Sequence, residues 1–258
     1  MRAVSVHTDA LVLTSGMWKT NAVALRSGAE AMLVDSPYFP DELELLPGVL
    51  AQAGFEPDGL IATHGDFDHL LGRLAFPGLA LGVGELTAER LQREPGAAQR
   101  ELRDSDAEFY VTRPRPLALG SVQALPVPGS VELGDAELEL HPAEGHTGDG
   151  LAVLAPGHGL LVCGDYLSDV ELPMIGPGGS LAAYRATLAR LGPLVERCET
   201  VVPGHGSPLE RDAALRVLDE DVDYLDALER GEERPELPAG RDTHAQRKLH
   251  AENLAAVA

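Results

Sequence analysis

The stretch Gly59-Leu60-Ile61-Ala62-Thr63-His64-Gly65-Asp66-Phe67-Asp68-His69 changes character at its midpoint. GLIAT is a short apolar run of the kind that forms a buried strand. The next six residues, His64 to His69, hold two histidines and two aspartates. A surface loop has no need of two imidazoles. A packed core has no use for two carboxylates, because burying unpaired charge is costly. Both demands are met in a layered α/β fold, where buried strands end in loops that carry the chemistry at the carboxyl edge of a sheet.

The flanking chain supplies the layers. Residues 3–35 read as short strands, among them ALVLTS, NAVALRSG and AMLVDSP. Residues 40–53, PDELELLPGVLAQA, read as a helix with acidic residues in its first turn and Gly54 as its stop. Residues 85–109 predict one or two helices broken at Pro95-Gly96. After RPRP (113–116), residues 117–165 read as a second block of short strands with Gly and Pro turns. LAAYRATLARL is a helix, TVVPGHG a strand and loop, residues 208–230 a long acidic helix, and HAQRKLHAENLAAVA a last helix. Two β-blocks with helices outside predict an α/β protein of the αββα-sandwich kind. Residues 1–258 are expected to form one domain, with 208–258 as C-terminal helices able to cover the functional edge.

Charge narrows the partners. The formal net charge is −21, and no Lys/Arg cluster offsets it, so a phosphate backbone would be repelled and no nucleic-acid partner is expected. Two cysteines imply no disulfide framework and fit a reducing compartment. The N-terminal run is interrupted by His7 and Asp9, unlike the apolar region of a signal peptide. No run of about 18 apolar residues exists, so no membrane partner is expected. A cytoplasmic protein acting on a small molecule follows as the default.

Three further stretches set a metal-capable residue beside glycine after a β-like run: Glu144-Gly145-His146-Thr147-Gly148, Cys163-Gly164-Asp165 and Pro203-Gly204-His205-Gly206. With His64, Asp66, Asp68 and His69 they give seven nitrogen and oxygen ligands. That is too many for one tetrahedral zinc and suits two ions sharing a carboxylate. The series H-x-D-x-D-H, G-H-T, G-D and P-G-H-G, in this order and at these separations, resembles the metallo-β-lactamase superfamily from about residue 10 to 210. The resemblance implies an αββα sandwich of the metallo-β-lactamase type, with two metal ions at one edge between the sheets. It implies that His64, Asp66 and His146 hold the first ion, that Asp68, His69 and His205 hold the second, and that Asp165 and a hydroxide bridge them.

One position departs from the superfamily's commoner H-x-H-x-D-H: the second histidine is Asp66 here. Two divalent ions and three carboxylates leave one net positive charge, against two in the commoner pattern, so the bound water is acidified less. Carboxylate for imidazole also favours harder ions, which brings manganese or iron(II) beside zinc.

The implied function is a dinuclear metal-dependent hydrolase of a small ester, thioester or lactone, similar to the glyoxalase-II-like and lactonase-like branches. Iron-dependent redox chemistry and hydrolysis of a small phosphodiester are the alternatives. Asp68 is a candidate proton donor to the leaving group, and the Tyr166 phenol a candidate oxyanion stabiliser. Trp18, Asn21, Ser36, Pro37, Tyr38 and Ser168 are candidate pocket residues, while Cys163 reads as a small buried hydrophobe. His7, His141 and His158 read as surface or turn residues. His244 and His250 read as one face of the last helix, with the alternative that this helix folds over the metal edge.

Overall fold

Strand sequences that are apolar at nearly every position need two apolar layers, one on each face. Ala10 and Val12 pack between two sheets, while Leu11 and Leu13 of the same strand pack outward under helices. Val23 and Leu25 alternate with Ala22 and Ala24 in the same way, as Leu151 and Val153 do with Ala152 and Leu154. The period-two geometry of a strand thus divides each run between a central core and an outer one.

The computed structural model describes residues 1–257; Ala258, the last residue of the expected final helix, lies outside the described residues. The first sheet contains β1 (Arg2–His7), β2 (Ala10–Thr14), β3 (Asn21–Ser27), β4 (Glu30–Asp35), β5 (Gly59–Ala62), β6 (Ala80–Gly84) and β7 (Val122–Leu125), in that spatial order. The second contains β8 (Gly129–Leu133), β9 (Ala136–Pro142), β10 (Leu151–Ala155), β11 (Leu160–Val162), β12 (Thr200–Val202) and β13 (Leu209–Glu210), also in sequential order. Helices α1 (Pro40–Gln52), α2 (Gly72–Ala75), α3 (Glu85–Arg93) and α4 (Ala97–Glu108) join strands of the first sheet. Helices α5 (Leu181–Val195), α6 (Arg211–Glu229) and α7 (His244–Val257) belong with the second. The architecture is the αββα sandwich that the two β-blocks predicted.

The block boundary needs one correction. Residues 122–125 do not open the second sheet; β7 pairs in parallel with β6 and closes the first. The α3–α4 segment is a crossover long enough to return the chain parallel to β6, and the new sheet begins only at Gly129. No helix among the described residues is long and apolar enough to cross a membrane.

Helix α1 is tied to the loop after β2 through Glu42. Its carboxylate accepts hydrogen bonds from Ser15 Oγ at 2.6 Å, Gly16 N at 2.9 Å and Phe39 N at 3.2 Å. Burial alone would raise its pKa, but the bond from Ser15, the N-terminal ammonium of Met1 at 2.9 Å and the two backbone amides outweigh burial and hold it below the ordinary 4.5. A depressed carboxyl stabilises the fold above its unfolded pKa, and that contribution is lost as pH falls through the folded value. Glu42→Gln is therefore expected to cost about 1–3 kcal/mol at pH 7 in chemical denaturation. The gap to the wild type should shrink as the pH is taken below about 4.5.

Candidate metal centre

The parallel pairs β4–β5 and β11–β12 bring four strand ends to one edge of the sandwich. Asp35 ends β4, and the His64–His69 loop follows β5, with Phe67–His69 as a single 3₁₀ turn. Asp165 follows β11, His205 follows β12, and His146 lies between β9 and β10. The two sheets are stitched together at this edge. Asn21 N donates to Gly204 O at 2.7 Å, the Asn21 amide donates to Pro203 O and Gly206 O, and Leu151 N donates to Thr63 O.

The seven side chains that the sequence singled out as ligands converge. Asp66 Oδ2 lies 3.6 Å from His64 Nε2 and 3.4 Å from His146 Nε2. Asp68 Oδ2 lies 3.3 Å from His205 Nε2 and 3.8 Å from His69 Nε2. Asp165 stands between the groups: its Oδ2 is 3.3 Å from His146, 3.4 Å from His205 and 3.7 Å from His64, and its Oδ1 is 3.1 Å from His69. Ligands bound at about 2.0–2.2 Å around a tetrahedral ion lie roughly 3.3–3.6 Å from one another. His64, Asp66 and His146 form one close group and Asp68, His69 and His205 another, the candidate ligand atoms of each lying within 4.8 Å of one another.

Each imidazole is turned by a partner on its far nitrogen. His69 Nδ1 is 2.9 Å from Asp35 Oδ2, His146 Nδ1 is 3.1 Å from Met174 O, and His205 Nδ1 is 3.3 Å from Trp18 O. Those oxygens only accept, so each Nδ1 carries the proton. The Thr63 hydroxyl already donates to Asp35 and so accepts from His64 Nδ1 at 3.2 Å. Every ring therefore offers a bare Nε2 to the centre. The Nε2 atoms of His64, His69 and His146 and Asp165 Oδ1 are buried without any hydrogen-bond partner. Buried polar atoms are ordinarily satisfied, and four orphans facing one point fit a bound cation.

The electrostatics agree. Burial would lower the pKa of His69, but Asp35, Asp165 and Asp68 raise it well above the ordinary value. His146 is likewise lifted to about 9, against the effect of burial, by Asp66 and Asp165. The carboxylates thus draw positive charge into the site, as protons on the rings or as divalent ions. Metal uptake must then release protons and tighten as pH rises.

The backbone is strained where the loops converge. Trp18, Lys19, Asp35 and Leu167 have positive φ without being glycine. Asp35 supports the site directly by accepting from Thr63 N at 2.8 Å while holding His69. Gly204 is required for space, since a Cβ there would collide with the Asp165 carboxylate and stand 2.9 Å from His69 Cε1.

The structure corrects some sequence-based expectations, Tyr166 first, and bears out others, such as the buried Cys163 and the exposed His7. The Tyr166 hydroxyl donates to Ala143 O and accepts from His146 N, both at 3.0–3.1 Å, inside a buried cluster with Tyr184. Both of its bonding capacities are used on the backbone, so it braces the His146 loop and has no donor left for an oxyanion. Ser36 donates to Asp68 O, and the fully buried Tyr38 hydroxyl contacts Ser105 and Asp106, so both support the site from beneath. Trp18 packs edge-on to His205, Tyr38, Phe67 and Phe109. Cys163 is a fully buried thiol. His7 and His158 pack together, His158 in the turn that joins β10 to β11, and His158 is buried rather than exposed.

Residues that the sequence did not single out complete the surroundings. Arg90 of α3 bonds Asp66 and Asp149. From α7, Gln246 accepts from Leu172 N, and Asn253 accepts from Ile175 N and donates to Pro173 O. The last helix thereby anchors the segment that carries Met174 O to His146. Beside the ligands lies a cavity of about 110 Å³ lined by Glu171, Leu172, Met174, Gln246 and Leu249. His250 is not at the metal edge; it is buried between Tyr224 Oη and Glu232 O. Arg241, fully buried, ties Glu171 O to Glu220 and Asp221.

Fold and site together define an αββα protein with clustered His and Asp groups suited to divalent metal. The metallo-β-lactamase superfamily model matches residues 16–205, and the chain belongs to that superfamily. A metallo-β-lactamase family protein from Thermus thermophilus superposes with a TM-score of 0.69 at 20% identity, covering 97% of this chain and 92% of its own. A metallo-β-lactamase from Pontibacter korlensis gives 0.61 at 20% identity, covering 84% and 97%. Both likenesses establish the fold.

Asp35→Ala frees the His69 ring and is expected to weaken metal affinity by roughly 10–100-fold. Competition against a chelator, repeated between pH 6 and 8, would measure this; affinity of the wild type should rise with pH.

Proposed function

We propose that this protein is a dinuclear metal-dependent hydrolase of a small ester, thioester or lactone. Membership of the superfamily supports metal-dependent hydrolysis in general. The observation that carries the finer reading is the set of orphaned Nε2 and carboxylate atoms grouped around Asp165. His64, Asp66 and His146 would hold one ion and Asp68, His69 and His205 the other, with Asp165 shared. Bound there, zinc, or manganese or iron in view of the three carboxylates, would supply Lewis acidity and a water deprotonated near neutral pH.

The chain's own groups do the rest. Asp165 faces both ligand groups and fixes their separation. Asp68, with one oxygen toward His205 and His69, would pass a proton to the leaving group at this edge. The cavity beside the ligands is about 110 Å³, room for a small acyl group. Leu172, Met174 and Leu249 give it apolar walls that exclude water from that group. The −21 charge supports a small substrate over a polynucleotide.

Elemental analysis of the purified protein should find about two equivalents of zinc or manganese, with one lost in Asp66→Ala. A panel of thioesters and lactones should then show turnover that Asp165→Asn abolishes together with metal binding. Iron as the main metal, with oxygen consumption, would replace this reading by the redox one. A single equivalent unchanged in Asp66→Ala would remove the two-ion arrangement.

A further inference from the structure

Asp66 is the one position where the ligand series departs from H-x-H-x-D-H, and its two oxygens have different partners. Oδ2 faces His64 Nε2 and His146 Nε2. Oδ1 accepts a hydrogen bond from Arg90 Nη2 at 2.8 Å. The other arm of the same guanidinium, Nη1, donates to Asp149 Oδ1 at 2.8 Å, and Asp149 Oδ2 accepts from Gly65 N at 2.9 Å. The contacts close a ring from Asp66 through Arg90 and Asp149 to the backbone residue beside Asp66. Asp149 follows His146 by three residues and Gly65 follows His64 by one, so the ring joins both loops that carry the first ligand group. Asp149 is almost fully buried and Arg90 has a side-chain exposure of only 15%. A guanidinium held between two carboxylates by its rigid fork is a geometric device as much as an ionic one.

We propose that Arg90 and Asp149 are positioning residues that clamp Asp66 so that it serves as a one-oxygen stand-in for the missing histidine. This rests on the reading of Asp66, His64 and His146 as metal ligands. An imidazole offers an ion one lone pair, whereas a free carboxylate can offer two oxygens and chelate, which enlarges the coordination number. Arg90 occupies the second oxygen. Arg90 and Asp149 carry opposite charges and cancel as a unit, so their joint effect on the ion is one of shape. The cause of the clamp is then the carboxylate itself: with histidine at position 66 it would have nothing to do.

Arg90→Gln combined with Asp149→Asn removes the fork without changing net charge or leaving a lone buried carboxylate. Cobalt(II) is the probe, titrated into metal-free wild type and variants, with visible absorption read beside affinity and melting temperature. In the double variant the first cobalt should bind roughly 10–100-fold more weakly. Its d–d absorption should weaken as coordination expands beyond four, while the second cobalt is unaffected. Arg90→Lys, the milder change should the double variant not fold, keeps the charge but not the fork and should give the same spectral change. In an Asp66→His background, adding Arg90→Gln and Asp149→Asn should alter neither spectrum nor affinity. Wild-type spectrum and affinity in either Arg90 variant would overturn the proposal. So would an equal loss in the Asp66→His background, which would make the ring a support for the loops alone. A wild type that binds no cobalt would overturn the metal-ligand reading itself, and this inference with it.

Discussion

The carboxylate of Asp165 is the interaction on which the rest of the edge depends. Four imidazole nitrogens, carried by three different loops, lie within 3.1–3.7 Å of it. So many polar atoms facing one another call for positive charge between them, as protons on the rings or as a bound cation. Gly204 shows how strictly the arrangement is held, since a Cβ there would occupy the carboxylate's place. Residues from both sheets meet here, and the sandwich is held together at this edge by backbone bonds such as Asn21 to Gly204 and Leu151 to Thr63.

Around that centre the buried polar groups serve orientation. Asp35, Met174 O, Trp18 O and Thr63 each take one imidazole nitrogen, which fixes the ring and bares the other. Asp35 adopts left-handed backbone to do so, a local strain offset by bonds to Thr63 and His69. The C-terminal helix takes part at one remove: Gln246 and Asn253 hold the 172–175 segment, and Met174 of that segment holds His146. A helix distant in sequence thus shapes both the cavity wall and the orientation of the His146 ring.

Much of this was legible in the sequence because the relevant information is local. A strand ending in a ligand-rich loop is written in consecutive residues, and the order of the four motifs placed the αββα fold and its functional edge. The failures have a common cause. Tyr166 sits beside Asp165 in the chain, yet its side chain points to Ala143 O and the His146 amide, because successive side chains leave the backbone in different directions. Residues 122–125 look like their neighbours at 129–142, and only pairing with β6 assigns them to the first sheet. Arg90 carries no signal in a helix full of charges, and nothing in the sequence singled out Asp149; only the fold brings the two together.

The sequence by itself determined the kinds of candidate ligand, their order, and the apolar strands that carry them to a sheet edge. These depend on side-chain chemistry and on periodicities of a few residues. The tertiary structure decided which nitrogen of each histidine is bare, which oxygen of Asp66 is free, and which helix walls the cavity. Those choices are made by hydrogen bonds between distant segments: Arg90 and Asp66 are 24 residues apart, and Trp18 and His205 are 187 apart. Such partners are set by how layers pack in space, and no local pattern in the chain encodes them.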